Sequence, residues 1–234
     1  MVFSMALLTF VIAVVLQAIV QLQQRNFTSN AKVDTVQETR DFVDQMVRDI
    51  HDVGYPPPLV IKNAPACAAN PAIACGLVYF SPTQIQYEGD LDGTGVYEVL
   101  VQLQVPPSGK CPCVLQRGSI TKAAYLVGGV PTYFTEVNGV LNSGNGAGAA
   151  TYPISLAGHG DYTAYGTADV FTSYDVQAIP NPVGTCTSAV ACSSIRSLQI
   201  TANVVPNFMD QKTDIFPVYS ITSKGRFNNL TSPN

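Results

Sequence analysis

The stretch MVFSMALLTFVIAVVLQAIVQLQQR, residues 1–25, carries no charged side chain before Arg25. A secretory signal peptide needs a basic start, a short apolar centre and a small-x-small cleavage site. Here no Lys or Arg precedes the apolar run, and the run leaves through Gln17, Gln21, Gln23 and Gln24 with no Ala-x-Ala after it. As a helix, the apolar portion from Met1 to Val20 is about 30 Å long, the thickness of a bilayer core. The stretch therefore reads as a membrane anchor, or a helix built like one.

Working outward, neither Gly nor Pro occurs between Met1 and Val53, although the chain holds 18 Gly and 16 Pro. The first is Gly54, followed by Tyr55 and Pro56-Pro57-Pro58, an abrupt helix stop. Val33, Val36, Phe42, Val43, Met46, Val47, Ile50 and Val53 recur at three- and four-residue steps and form one apolar stripe. The opposite face carries Lys32, Asp34, Glu38, Arg40, Asp41, Asp44, Arg48, Asp49 and Asp52. The spacing predicts a single helix about 75–80 Å long. Its weak point is Asn26-Phe27-Thr28-Ser29-Asn30, a run of poor helix formers where a kink or local melting is expected if anywhere. Residues 1–24 form its apolar half and residues 25–53 its amphipathic continuation. The first half needs lipid or other apolar helices around it, and the second needs a globular domain along one side.

Beyond Pro58 the period changes to two. Gly76–Phe80, Gln84–Tyr87, Val96–Val105, Leu198–Val205 and Val218–Phe227 read as strands separated by Pro, Gly, Asn and Ser. Charged residues make up only 12% of the chain and Trp is absent. Residues 54–234 are enough for one β-rich domain with its own core. The fold class is α+β: a long N-terminal α-helix packed on a C-terminal antiparallel β-rich domain. Six cysteines fall into close pairs, Cys67 with Cys75, Cys111 with Cys113, and Cys186 with Cys192. Close pairs in loop-like surroundings point to local disulfides in an exported domain. The ring closed by Cys111-Pro112-Cys113 is so small that its disulfide stays an open question at this stage. The cysteines lack the partners of a metal site and the spacing of a redox pair.

Other chemistry is sparse. Asp90-Leu91-Asp92-Gly93-Thr94-Gly95, with Glu98 behind it, resembles the start of a calcium loop. A full EF-hand loop needs Glu where Val101 stands, and Asp-Gly between alternating strands is foremost a hairpin signal. His159 and Asp161 lie in a Gly-, Ser- and Tyr-rich tract without a partner nucleophile, and the stretch from Val137 to Gly166 reads as a long surface loop. His51 sits among Asp49 and Asp52 on the charged helix face. Ser193, Ser194 and Ser197 lack a Gly-x-Ser-x-Gly elbow. No enzyme, no cofactor and no metal are expected. Asn26-Phe27-Thr28 and Asn229-Leu230-Thr231 match the glycosylation sequon. A net charge of −4, without a run of basic residues, argues against direct nucleic-acid binding.

An uncharged apolar start with Phe3-Ser4-Met5, running into a long amphipathic helix and then a β domain, resembles a type IV pilin or pseudopilin. Three stretches are similar to the large PilW-like, J-type minor subunits. They are VRDIHDVGY (Val47–Tyr55), IQYEGDLDGTGVYEVLVQL (Ile85–Leu103) and SITSKGRFNNL (Ser220–Leu230). Together they cover about a sixth of the chain, in the family's order. The resemblance implies a structural subunit of an extracellular type IV pilus-like filament, with copies of itself or related subunits as partners. It also implies residence in the inner membrane before assembly, a methylated N-terminus and exposure on the cell surface afterwards. Met1, Phe3, Leu7, Leu8, Val11, Ile12, Val14, Val15 and Ile19 would form the packed helical core of the fibre. The alternatives are a minor or tip pseudopilin of a type II secretion-type system and a singly anchored envelope binding domain.

Two departures qualify the resemblance. No basic leader ending in Gly precedes the helix, so the chain is read as mature from Met1 or from Phe3. The Glu that most pilins carry four residues past the mature N-terminus is replaced by Met5, or by Leu7 in the other frame. In the family its loss goes with subunits at a filament tip. Assembly would then rest on apolar packing, with the terminal ammonium held by hydroxyls such as Ser4 and Thr9 or by backbone oxygens.

Overall fold

The computed structural model describes residues 2–56, 67–142, 156, 160, 162–210 and 213–228, with the side chains of 2–7, 9 and 163 left aside. Helix α1 is continuous from Val2 to Asp52, 51 residues or about 76 Å. Asn26–Asn30 is helical throughout, so the expected weak point does not interrupt the helix. There the Thr28 hydroxyl donates to the Gln24 carbonyl at 2.9 Å, and Thr35 and Thr39 make the same bond one turn back. The polar side chains thus satisfy themselves on the helix's own backbone and leave its ladder intact.

The helix stops where the sequence predicts. Gly54 takes φ 82°, the left-handed conformation that glycine adopts without a Cβ clash. Its N–H donates to the Glu88 carbonyl at 2.8 Å, and the Asp90 N–H donates to the Tyr55 carbonyl at 2.9 Å. The end of α1 is thereby stitched to the sheet.

That sheet has eight strands: β1 (Leu77–Ser81), β2 (Gln84–Gly89), β3 (Tyr97–Gln104), β4 (Cys113–Thr121), β5 (Thr132–Val140), β6 (Phe171–Tyr174), β7 (Ser197–Val204) and β8 (Tyr219–Arg226). Two short helices, α2 (Lys122–Leu126) and α3 (Thr163–Gly166), lie between strands. The order is β1-β2-β3-β4-β5-β7-β6, β8 pairs with the free side of β7, and every pairing is antiparallel. The five strands read from the periodicity are present. β4 and β5 are not legible in the periodicity, because Arg117, Ser119, Thr132, Thr135 and Glu136 dilute their alternation, and β6 has only four residues to show one. In β4 and β5 the bulges at Cys113/Leu115 and Leu115/Gln116 break the register further.

One face of the sheet meets α1 through β8, β5 and β7. Phe42, Val43, Met46, Ile50 and Val53 are buried there with Ile85, Tyr87, Val99, Val101, Leu115, Val137, Ile200 and Val204. Val36 and Val47 are half-buried, whereas Val33 stays exposed, so the buried stripe starts later than its periodicity suggests. Two glycines let the helix come close. A Cβ on Gly225 of β8 would stand 2.9 Å from Ile50 Cγ2, and one on Gly89 would stand 2.8 Å from the Asp52 carbonyl oxygen.

All six cysteines are paired as Cys67–Cys75, Cys111–Cys113 and Cys186–Cys192, so the pair flanking Pro112, left open by the sequence, is bridged. The Cys186 loop exchanges two 3.0 Å backbone hydrogen bonds with Phe80 and so covers the outer edge of β1, an edge otherwise open to pairing with another chain.

Candidate functional site

The surface with the plainest physical demand is the first half of α1. Leu8, Phe10, Val11, Ile12, Val14, Val15, Leu16, Ile19, Val20 and Leu22 are all between 45% and 71% exposed, and they point in every direction around the helix. A monomeric soluble protein rarely shows a contiguous apolar surface beyond a few hundred Å². Of the residues expected to form a packed core, Leu8, Val11, Ile12, Val14, Val15 and Ile19 thus stand free of the β domain. Met1 and the side chains of Phe3, Leu7, Ser4, Met5 and Thr9 lie outside the described residues. The described part of α1 does not by itself make a run long and apolar enough to cross a membrane.

Further along, the charged face of α1 is not uniformly solvated. Asp49, expected on that face, is buried: its Oδ2 accepts from the Tyr87 hydroxyl at 2.7 Å and from Arg117 Nη2 at 2.8 Å. Burial, and then the charge of Asp49, push the Tyr87 hydroxyl well above its ordinary pKa, so it stays a donor. Arg117 is on β4, facing the helix. The trio ties α1 to the middle of the sheet.

A second polar cluster occupies the opposite face. Glu88 of β2 and Glu98 of β3 are directly paired across the strands. Lys122, at the start of α2, is only 1% exposed. Its Nζ donates to Glu88 Oε2 at 2.6 Å, to the Cys67 carbonyl at 2.7 Å and to the Ile73 carbonyl at 2.8 Å. The ammonium's three protons are all used, and two of them pin the Cys67–Cys75 loop onto the sheet. Glu88 Oε2 also accepts from the Cys75 N–H at 2.6 Å. Glu98 accepts from Gln86 Nε2, and burial, followed by the neighbouring Glu88, raises its pKa to about 8. Two carboxyls facing one ammonium are satisfied with a single negative charge. The arrangement is a neutralised brace, since the ammonium has no free pair with which to attack anything.

The calcium candidate is taken apart by the strands. Asp90 Oδ1 accepts from the Gly93 and Gly95 amides, and Asp92 Oδ1 from the Thr94 amide and hydroxyl. The Thr94 bonds hold the Asp92 carboxyl below its ordinary pKa. Glu98 points into the buried cluster, away from this turn. Among the described residues no group of three or more His, Cys, Asp or Glu side chains is placed to hold a metal ion. Asn26 is exposed, but in mid-helix and not in a loop. Asn229, His159 and Asp161 lie outside the described residues; the described parts of Val137–Gly166 are not a surface loop, since Val137–Val140 ends β5 with Val137, Val140, Leu141 and Asn142 buried, and Thr163–Gly166 is α3.

The buried braces are not legible in the sequence, because Gln86, Glu88 and Glu98 occupy the polar phase of alternating strands, which normally faces water. The nearest signal was the Lys122 position directly after β4 and opposite a cysteine-rich loop. No family model, no curated protein and no solved structure matches this chain.

Proposed function

We propose that this chain is a structural subunit of an extracellular type IV pilus-like filament, held in the inner membrane by the first half of α1 and polymerising through it. The observation that carries the reading is the division of α1: a stripe from Phe42 to Val53 buried on the sheet, and an apolar collar from Leu8 to Leu22 exposed all round. A plain anchor has no use for a further eight turns of helix joined rigidly to a domain. Burying a Val or Leu side chain from water contributes about 1.5–3 kcal/mol, so a collar of this size holds a fibre without covalent links. From lipid the gain is smaller and close packing supplies it. Three disulfides suit the oxidising exterior.

The test is electron microscopy of sheared surface material from cells expressing the full chain, with mass spectrometry of the fibres. Val11→Asp and Val15→Asp are expected to abolish incorporation, because an unpaired carboxylate among packed helices is costly. Fibres containing either variant at wild-type levels would overturn the reading.

A further inference from the structure

Just past the apolar collar, α1 runs beside the segment that leads into β8, and the two enclose an open groove of about 780 Å³. Arg25, Thr28 and Lys32 line one wall; Asp210, Pro217 and Tyr219 line the other. Arg25 and Lys32 are seven residues apart, two turns, and so share a helix face. Lys32 Nζ lies 5.3 Å from the centre of the Tyr219 ring. The Tyr219 hydroxyl is shielded from solvent with no hydrogen-bond partner, which leaves one donor at the groove wall unclaimed. Two cations against one carboxylate give the lining a net charge of +1.

We propose that this groove binds the phosphate-bearing headgroup of a membrane phospholipid while α1 is in the bilayer. The inference rests on the membrane-anchor part of the reading above, and its height along the helix is what selects the ligand. If the hydrocarbon core ends near Val20, Arg25 stands about 7–8 Å beyond it, within the headgroup layer. Lys32 starts farther out, but helical side chains lean toward the N-terminus and a long lysine reaches back toward the interface. A guanidinium takes a phosphate by paired hydrogen bonds, the ammonium adds a point charge, and Tyr219 supplies the unclaimed hydroxyl.

Native mass spectrometry of the full chain, released from dodecyl maltoside micelles doped with phosphatidylglycerol, tests this. The wild type is expected to retain one phosphatidylglycerol. Arg25→Gln/Lys32→Gln is expected to bind about thirtyfold more weakly, each basic residue contributing about fivefold. Galactosyl diacylglycerol, which has the acyl chains without phosphate, should not be retained. Retention of the galactolipid, or equal retention of phosphatidylglycerol by the double variant, overturns the site. Displacement of phosphatidylglycerol by inorganic phosphate at equal concentration overturns the lipid assignment in favour of a free-phosphate site. Circular dichroism confirms that the double variant keeps its helix. Failure of filament formation in the Val11→Asp experiment's wild-type control would sink the assembly reading while leaving this result standing.

Discussion

At the scale of single residues, Lys122 carries more of the structure than its place in the sequence suggests. Its ammonium is 1% exposed and spends its three protons on Glu88 and on the Cys67 and Ile73 carbonyls. Lys122→Met leaves the Glu88 carboxylate buried and unpaired, and is expected to cost about 3–5 kcal/mol in urea unfolding. Adding Glu88→Gln should recover much of that loss; a double variant as unstable as the single one would refute the brace. Glu98 makes a separate, pH-dependent contribution. Its pKa is about 8 in the folded chain against 4.5 when unperturbed, so between these values the folded state keeps a proton that the unfolded state releases. Stability from this group is therefore full below pH 4.5, falls as pH rises, and is gone above about pH 8. Glu98→Gln cannot titrate. Its melting temperature relative to wild type is expected to climb through that window, and a flat difference would show that the carboxyl is not protonated.

Among the elements, the seam between α1 and β8 sets how the helix sits. Gly225 brings the β8 backbone under Ile50, where even one added carbon meets Ile50 Cγ2 at 2.9 Å. Gly225→Val is expected to destabilise by about 1–3 kcal/mol through overpacking. Ile50→Ala opens a cavity at a fully buried site and should cost about 2–5 kcal/mol. Because the new methyls enter the space that Ile50 vacates, the double variant should cost less than the sum. Strict additivity in chemical denaturation would mean that the two residues do not compete for space. At the helix end, Gly89 lets the β2 backbone approach Asp52, and Gly54 turns the chain away.

For the molecule as a whole, the two halves of α1 separate cleanly in what they need. Among the described side chains, those from Leu8 to Leu22 are exposed and none belongs to the buried core, whereas Phe42, Val43, Met46, Ile50 and Val53 are part of it. A chain beginning at Arg25 is therefore expected to fold, keep its three disulfides and run as a monomer without detergent. The full chain should need detergent or its own assembly partners. Size-exclusion chromatography with light scattering reads both. An aggregated truncation would mean that the collar also serves the domain's own stability.

The sequence by itself determined the long helix, its stop at Gly54, the split between its apolar and striped halves, five of the strands and the local pairing of Cys67 with Cys75 and of Cys186 with Cys192. These are legible because they follow from periodicity, from the backbone freedom of Gly and the constraint of Pro, and from spacing along the chain, all of which are local. What only the tertiary structure decided is which polar residues are buried. Asp49 shares the hydrophilic face of α1 with Asp52, yet only Asp49 meets Arg117 and Tyr87, whose long side chains reach it from β4 and β2. Glu88 and Glu98 occupy the solvent phase of their strands until the Cys67–Cys75 loop and Lys122 close over them. Likewise β4, at the centre of the sheet, was hidden because its Arg117 disrupts the apolar alternation for the sake of a partner 68 residues away. A charge's cost depends on what covers it, and that is a property of long-range contacts which no window of sequence contains.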